Sequence, residues 1–406
     1  MEVYNVTLLG HKDHGKSTLI GSLLLLTKSV TQTRINEAKE YSRRLHKSFE
    51  PAFILDSFHE EREGGLTIDT TRAEVLYKGM AFSFIDVPGH EELIDNMISG
   101  ASYANTAILL VSAKKSEGIK DQTKRHLFIS RMLGIENLIV AVNKMDLAGF
   151  SQKKFENIKG GLSGFIRQIG FKEKNVLFIP ISAHSGENII EQSGKMSWYK
   201  GKPLLDALKE MVTGQSKANE GKALRIALQG FLGGRKDILL GRVIKGRIKA
   251  GEKNLRIVPL DKEIQVKAMV VGGKKVKVAK KGDSVALEIN KEIEQETRGA
   301  IICSDIDCVE SKDTIKARLF LTKPLRRETT IRFNGVEMKF KIKPLEYIDP
   351  VTGKMYKKGI MKPLGALDAE LKLFGKIPAE KFEDTQELGR FALYANKNFA
   401  GIGIIV

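Results

Sequence analysis

Cysteine is scarce in this chain of 406 residues: only Cys303 and Cys308 occur, too few for a disulfide framework or for a zinc site built on thiolates. Both are expected as ordinary thiols in a reducing compartment. Long apolar runs are missing too. The longest, Ile20 to Leu26 and Thr106 to Val111, fall well short of the ~20 residues needed to cross a bilayer, so no membrane partner is expected. Met1-Glu-Val-Tyr leads straight into a strand-like run, without the basic and apolar regions of a signal peptide, which makes a cytoplasmic location the expectation. Negative charge is the minority sign, with 49 Asp and Glu against 67 Lys and Arg, for a formal net charge of +18. Such an excess favours a polyanion such as RNA, although a surface shaped for solubility would look similar. Seven lysines stand against one glutamate between Lys262 and Lys281, and Lys323 to Lys343 is also basic. Internal repeats, coiled-coil heptads and low-complexity tracts are absent.

What is present is concentrated in short motifs. Gly10-His-Lys-Asp-His-Gly-Lys-Ser17 matches the G-x-x-x-x-G-K-[ST] pattern. Its glycines let backbone N–H groups close on phosphate oxygens, its lysine reaches the β and γ phosphates, and its hydroxyl binds Mg²⁺. The run Val3 to Leu9 before it reads as a strand and Thr18 to Leu26 after it as a helix, which is the context the motif requires. Gly10, His11, Lys12, Asp13, His14, Gly15, Lys16, Ser17 and Thr18 are therefore candidates to bind the phosphates of a nucleoside triphosphate.

A phosphate loop alone is a weak signal, and the order and spacing of three later motifs strengthen it. Asn143-Lys-Met-Asp146 comes directly after the strand-like run Leu138 to Val142, at a carboxyl end where α/β sheets bind ligands. The Asp146 carboxylate can accept from the guanine N1–H and exocyclic amine. Adenine offers an acceptor and no amine there, so the carboxylate would be left unsatisfied. Asn143, Lys144 and Asp146, with Ser182 and Ala183 after Val176 to Ile181, are expected to hold guanine. In Asp86-Val-Pro-Gly-His90, Asp86 can hold a water on Mg²⁺, Pro88 and Gly89 bring a backbone N–H to the γ phosphate, and His90 can orient the attacking water. His90 is the expected catalytic residue. Thr67, within Glu61-Arg-Glu-Gly-Gly-Leu-Thr-Ile-Asp, can join Ser17 and Asp86 on Mg²⁺ only while the γ phosphate is present, which couples nucleotide state to loop order.

Length alone suggests two or three domains. Continuous apolar strands at Val3 to Leu9, Ala81 to Asp86, Ala107 to Ser112, Leu138 to Asn143 and Val176 to Ile181 alternate with helical patterns. They predict an α/β domain over residues 1–213, a mainly parallel sheet with helices on both faces. Thr213 to Lys222 reads as a linker. Beyond it, short glycine-punctuated strands at Ile238 to Val243, Leu255 to Pro259, Glu263 to Val271 and Ser284 to Ile289 predict a β-barrel domain over 222–309. After a break near Val309 to Asp313, Arg318 to Leu321, Thr330 to Phe333 and Met338 to Ile342 predict a second over 310–406.

With these elements in place the chain resembles, over nearly all its length, the translational GTPases of the elongation factor Tu and elongation factor 1 alpha family. The phosphate loop with its two histidines, Glu61 to Ile68, Asp86 to His90 and Asn143 to Asp146 carry the resemblance, as do Gly241-Arg-Val-x-x-Gly, Lys281-Gly-Asp-Ser, Gly389-Arg-Phe-Ala and Gly401-Ile-Gly further on. The long stretch between Ser17 and Thr67, helical around Gln32 to Lys47, and Trp198-Tyr199 resemble the archaeal and eukaryotic branch and the GTPase subunit of sulfate adenylyltransferase. The resemblance implies a P-loop GTPase domain followed by two β-barrel domains, GTP or GDP and Mg²⁺ as cofactors, and GTP hydrolysis as the reaction. Asp13 is the position from which a monovalent cation near the phosphates would be held. Implied partners are the ribosome and tRNA or a tRNA-mimicking protein, with a nucleotide exchange factor as a further candidate. DNA is not expected, and the chain is expected to be a monomer. The alternatives are a regulatory subunit of a sulfate-activating adenylyltransferase and a GTP-gated adapter for a ribosome-rescue factor.

Three positions depart from the family pattern. Lys12 stands where the family usually has valine, one half of an apolar gate beside the catalytic histidine whose other half is Leu66. Tyr394 stands where elongation factors more often carry arginine, and Lys323 to Lys362 agrees only weakly.

Overall fold

Strand β1 (Val3–Leu9) runs into a single 3-10 turn, Lys12–His14, and then into helix α1 (Lys16–Leu26). The computed structural model describes residues 3–55, 71–86, 104–215, 223–304, 308–325, 328–359 and 363–406. It divides into two compact units, residues 1–216 with 350–353 and residues 217–349 with 354–406.

The first unit is built on a six-stranded sheet. Its strands are β1, β2 (Thr71–Tyr77), β3 (Met80–Asp86), β4 (Thr106–Ser112), β5 (Asn137–Asn143) and β6 (Val176–Pro180), in the order β2-β3-β1-β4-β5-β6. Only β2 runs antiparallel. Every residue of β4 (TAILLVS) and β5 (NLIVAVN) is buried, as expected of central parallel strands covered on both faces. The helices are α1, α2 (Gln32–Arg44), α3 (Asp121–Met132), α4 (Gln152–Gln168) and α5 (Leu204–Gln215). Leu19, Ile20 and Leu23 of α1 pack with Val6, Phe82, Ile108 and Ile139 of the sheet and with Leu204 and Leu208 of α5. Because β1 lies between β3 and β4, the chain reverses its direction of winding there, and the carboxyl ends of these strands open a crevice beneath the phosphate loop. The expected linker begins later than its composition suggested, since α5 carries Thr213 to Gln215; residues 216–222 lie outside the described residues.

The second unit holds two sheets. The strands of the first are β7 (Arg225–Leu232), β8 (Arg235–Lys245), β10 (Leu255–Val258), β11 (Lys262–Ile264), β12 (Val266–Val271), β13 (Lys274–Lys275), β15 (Ser284–Ile289) and β16 (Ile301–Ser304), with β9 (Arg247–Lys249) and β14 (Val278–Lys280) as a separate pair. Their order is β11-β10-β16-β7-β8-β15-β12-β13. The second sheet comprises β17 (Ser311–Leu321), β18 (Thr329–Phe333), β19 (Val336–Ile348), β20 (Met355–Tyr356), β21 (Gly365–Pro378), β22 (Arg390–Ala395) and β23 (Asn398–Ile405). Its order is β18-β22-β23-β17-β21-β19-β20, and β18 also pairs with β19, so six strands close into a barrel with β20 attached outside. Each sheet has its own apolar cluster. The barrel's cluster also takes in Ile244, Val258 and Ile301 from the neighbouring sheet.

Two expectations are corrected here. Cys303 and Cys308, expected as free thiols, are joined in a disulfide. Cys303 sits near the end of β16, and its Cα lies 5.2 Å from that of Cys308, inside the span a disulfide bridges. The break expected at Val309 to Asp313 is shorter, because β17 already starts at Ser311. Among the described residues no helix is long and apolar enough to cross a membrane.

Candidate functional site

The crevice at the carboxyl ends of β1 and β5 is a cavity of about 570 Å³. Of the expected phosphate and guanine ligands, Lys12, Asp13, Gly15, Lys16, Ser17, Thr18, Asn143, Lys144 and Asp146 line it. The loop is held by its own backbone. Gly10 has φ +141°, and a Cβ there would lie 2.7 Å from the carbonyl oxygen of Leu110 at the end of β4, so only glycine lets the loop leave β1 at this point. Gly15 caps α1 in the left-handed region at φ +87°, and a Cβ there would lie 2.5 Å from the Asn143 amide nitrogen. Ser17 and Thr18 are thereby placed in the first turn of α1, where unpaired N–H groups and the helix dipole favour an anion.

Lys16 is 5% exposed and its ammonium spans the loop, donating to the carbonyl oxygens of Gly10 at 2.9 Å and His11 at 3.3 Å. Burial pulls it below the usual lysine range, while the carboxylates of Asp86 and Asp13 resist that shift. Asp86 ends β3 opposite Leu8 of β1. His14 faces inward, its Nδ1 3.0 Å from the Leu110 carbonyl oxygen, and burial lowers its pKa to about 4, so the ring is neutral at pH 7. His11 and His14 lie side by side with ring centroids 5.4 Å apart.

The guanine candidates form one hydrogen-bonded unit with this loop. The Asn143 side chain donates to the His14 carbonyl at 2.9 Å and accepts from the Ala183 N–H at 2.8 Å, tying β5, the phosphate loop and the segment after β6 together. Ser182 donates to Asp146 at 2.7 Å, fixing the carboxylate and leaving an oxygen to face the cavity. Ser22 of α1 donates to the Ala183 carbonyl, so the helix carrying the phosphate-binding turn also supports the base segment. Gly10, His11, His14, Asp86, Ser182 and Ala183 are not among the residues that line the cavity; His14, Ser182 and Ala183 join its frame through the hydrogen bonds just described. Thr67, Pro88, Gly89 and His90 lie outside the described residues.

Sequence reasoning missed five residues. Leu147, an apolar side chain 59% exposed directly after Asp146, and His184, directly after Ala183, line the cavity at its base end. Glu50 and Ala52 line it from the segment after α2. Glu117, after β4, accepts from Lys144 at 2.8 Å and pairs with Lys114 at 3.2 Å. Burial disfavours its ionisation, yet hydrogen bonds from Lys144, Ser112 and Lys114 outweigh that and hold its pKa down at about 2. Lys144 itself has φ +61°, a left-handed turn that a lysine adopts only at some cost and that presents its side chain to the cavity. Leu147 and His184 could have been read from adjacency to their motifs; Glu50 and Glu117 belong to no motif.

A hydroxyl at Ser17 with a carboxylate at Asp86 suits a hard cation that keeps most of its water, which is how Mg²⁺ binds beside phosphates. Among the described residues no three His, Cys, Asp or Glu side chains converge as a metal cage.

The family model for the elongation factor Tu GTP binding domain matches residues 1–214. Elongation factor 1-alpha of Aeropyrum pernix is 32% identical over 424 aligned positions, covering 99% of this chain and 95% of that protein. Elongation factor 1-alpha of Hyperthermus butylicus is 33% identical over 421 positions, again covering 99% of this chain and 95% of that protein. The crystal structure of Sup35 complexed with GDP aligns with a TM-score of 0.43 at 24% identity, covering 100% of this chain and 94% of that one.

Proposed function

The chain belongs to the translational GTPase family of elongation factor Tu and elongation factor 1-alpha, and from that premise we propose that bound GTP licenses it to deliver a tRNA, or a protein shaped like one, to the ribosome in the cytoplasm. It is a GTP-dependent translation factor that hydrolyses GTP to GDP and phosphate. The reading as a regulatory subunit for sulfate activation is not favoured by relatives that carry the name elongation factor 1-alpha.

The observation that carries the proposed site is the Asn143 side chain, which joins the phosphate loop to the base segment through hydrogen bonds of 2.9 and 2.8 Å. Both ends of one nucleotide are thereby held by one rigid frame. The phosphates lie along the backbone from Gly10 to Thr18, with the Lys16 ammonium drawn from its loop carbonyls onto the β and γ oxygens. Asp146, held by Ser182, accepts from guanine N1–H and the exocyclic amine. Ser17, Asp86 and Thr67 hold Mg²⁺, which when bound neutralises charge on the β and γ phosphates. His90 orients the attacking water, and the Gly89 N–H meets the γ phosphate. The G domain spans residues 1–213, and the two β-rich domains, 222–309 and 310–406, carry the cargo. The basic excess supports a polyanionic cargo and a ribosomal docking site. A monovalent cation held by Asp13 and an exchange factor complete this reading.

The test is GTP turnover by the full chain with and without ribosomes. Stimulation by ribosomes of at least tenfold is expected, and an unchanged rate would overturn the delivery role.

A further inference from the structure

The acidic residue Glu50 lines the nucleotide cavity yet lies outside every motif that accounts for phosphates or base. Its place is fixed by close packing. Pro51 presses on α1 at Gly21, where any Cβ would collide with the Pro51 carbonyl oxygen. The chain then turns, with Phe53, Ile54 and Leu55 donating backbone hydrogen bonds to Glu50, Pro51 and Ala52 at 3.0, 3.2 and 2.9 Å. Phe53, Ile54 and Leu55 are buried in the core of the first unit, and Phe53 meets Tyr41 of α2 edge-on with ring centroids 5.8 Å apart. Glu50 itself is exposed, so a segment anchored in the core presents one charged side chain to the cavity.

The position along the cavity follows from α1. Ser17 and Thr18 form its phosphate-binding turn, Gly21 meets Pro51, and Ser22 meets Ala183 of the base segment. The wall made by Glu50 and Ala52 therefore adjoins both the phosphate turn and the base segment, where a nucleotide carries its ribose. The other two acids of the cavity have partners: Asp146 accepts from Ser182, and Asp13 lies 3.7 Å from His11. None of the ion pairs among the described residues uses Glu50. A carboxylate is acceptor-only, and the ribose presents two adjacent hydroxyl donors.

We propose that Glu50 is the ribose contact of this site, accepting hydrogen bonds from the 2′ and 3′ hydroxyls and so selecting ribonucleotides over 2′-deoxynucleotides. This rests on the nucleotide-site reading above. Losing one hydrogen bond to an ionised acceptor corresponds to about tenfold to hundredfold in affinity.

The test compares GDP with 2′-deoxy-GDP, in the presence of Mg²⁺, on the full chain and on Glu50→Ala and Glu50→Gln. The unaltered protein is expected to bind GDP at least tenfold more tightly than 2′-deoxy-GDP. Glu50→Ala is expected to abolish the preference between the two, weakening GDP, which loses both contacts, more than 2′-deoxy-GDP, which loses only the one from its 3′ hydroxyl, with Glu50→Gln between. Equal binding of the two nucleotides by the unaltered protein would overturn the proposal. So would a loss shared equally by both in Glu50→Ala, which marks a purely structural role, or a gain in GDP affinity, which marks a carboxylate repelling phosphate. Failure of the unaltered protein to bind GDP at all would remove the guanine site and this contact with it, whereas tight GDP binding without ribose selection would remove the contact alone.

Discussion

Replacing Glu117 by glutamine tests whether the lysine of the base motif is placed by an ion pair. The carboxylate is only 16% exposed and accepts from Lys144 at 2.8 Å and Lys114 at 3.2 Å. Its pKa of about 2, against an ordinary 4.5, corresponds to about 3 kcal/mol in favour of the ionised form. Lys144 is 24% exposed and Lys114 is 49% exposed, so screening leaves most of that gain on the Lys144 side. The contribution is complete above 4.5 and is lost only as pH falls through about 2, so it is constant across neutral pH. Glutamine keeps the shape and removes the charge, freeing Lys144 to leave the cavity wall. A double-mutant cycle of Glu117→Gln with Lys144→Met, read by urea unfolding, is expected to give a coupling of about 1–2 kcal/mol. Release of a fluorescent GDP from Glu117→Gln, followed by stopped flow, is expected to be faster by about five- to thirtyfold. A coupling below about 0.3 kcal/mol together with unchanged GDP release would refute the idea that Glu117 positions Lys144.

Two further outcomes are expected. Lys12 lines the cavity as a cation where the family's gate is apolar, so Lys12→Val should change intrinsic GTP hydrolysis severalfold in single-turnover assays, and an identical rate would remove any role in gating. Burial lowers the pKa of His14 to about 4 and that of His126 on α3 to about 3, from an ordinary 6.5. Both rings fold neutral, so their contribution to stability is complete above pH 6.5 and is lost as pH falls, at up to about 1.4 kcal/mol per pH unit for each. Thermal melts between pH 7.5 and 5 should therefore show a falling Tm, and a flat profile would refute the neutral assignment.

The parallel strands were legible because burial on both faces leaves an unbroken apolar run, as in β4 and β5. Strand β2 was not: Arg72, Glu74 and Leu76 face outward while Val75 is buried, and a half-exposed antiparallel strand with two charges reads as loop. The same alternation hid the length of β19, where Lys339, Lys341 and Lys343 are exposed between Met338, Phe340 and Ile342, which pack on the barrel core. Glu263 to Val271 read as one strand but breaks at Gln265, whose N–H is taken by the Asn290 side chain at 3.0 Å. In the site, contiguous motifs announced Lys16, Asn143 and Asp146. Glu50 reaches the same cavity through packing on α1, and Glu117 acts on it only through its ion pair with Lys144; neither leaves a local pattern.

The β18–β19 pairing has a consequence for association between copies. Apart from the two-residue β20 on its outside, a ring of strands offers no terminal row of free amides and carbonyls to which a second chain could add. The neighbouring sheet is open and ends in β11 and β13, runs of three and two residues that contain Lys262, Lys274 and Lys275. Short, lysine-bearing margins of this kind repel an incoming strand. Part of the positive charge that reads as nucleic-acid affinity therefore also guards the protein against sheet-to-sheet aggregation.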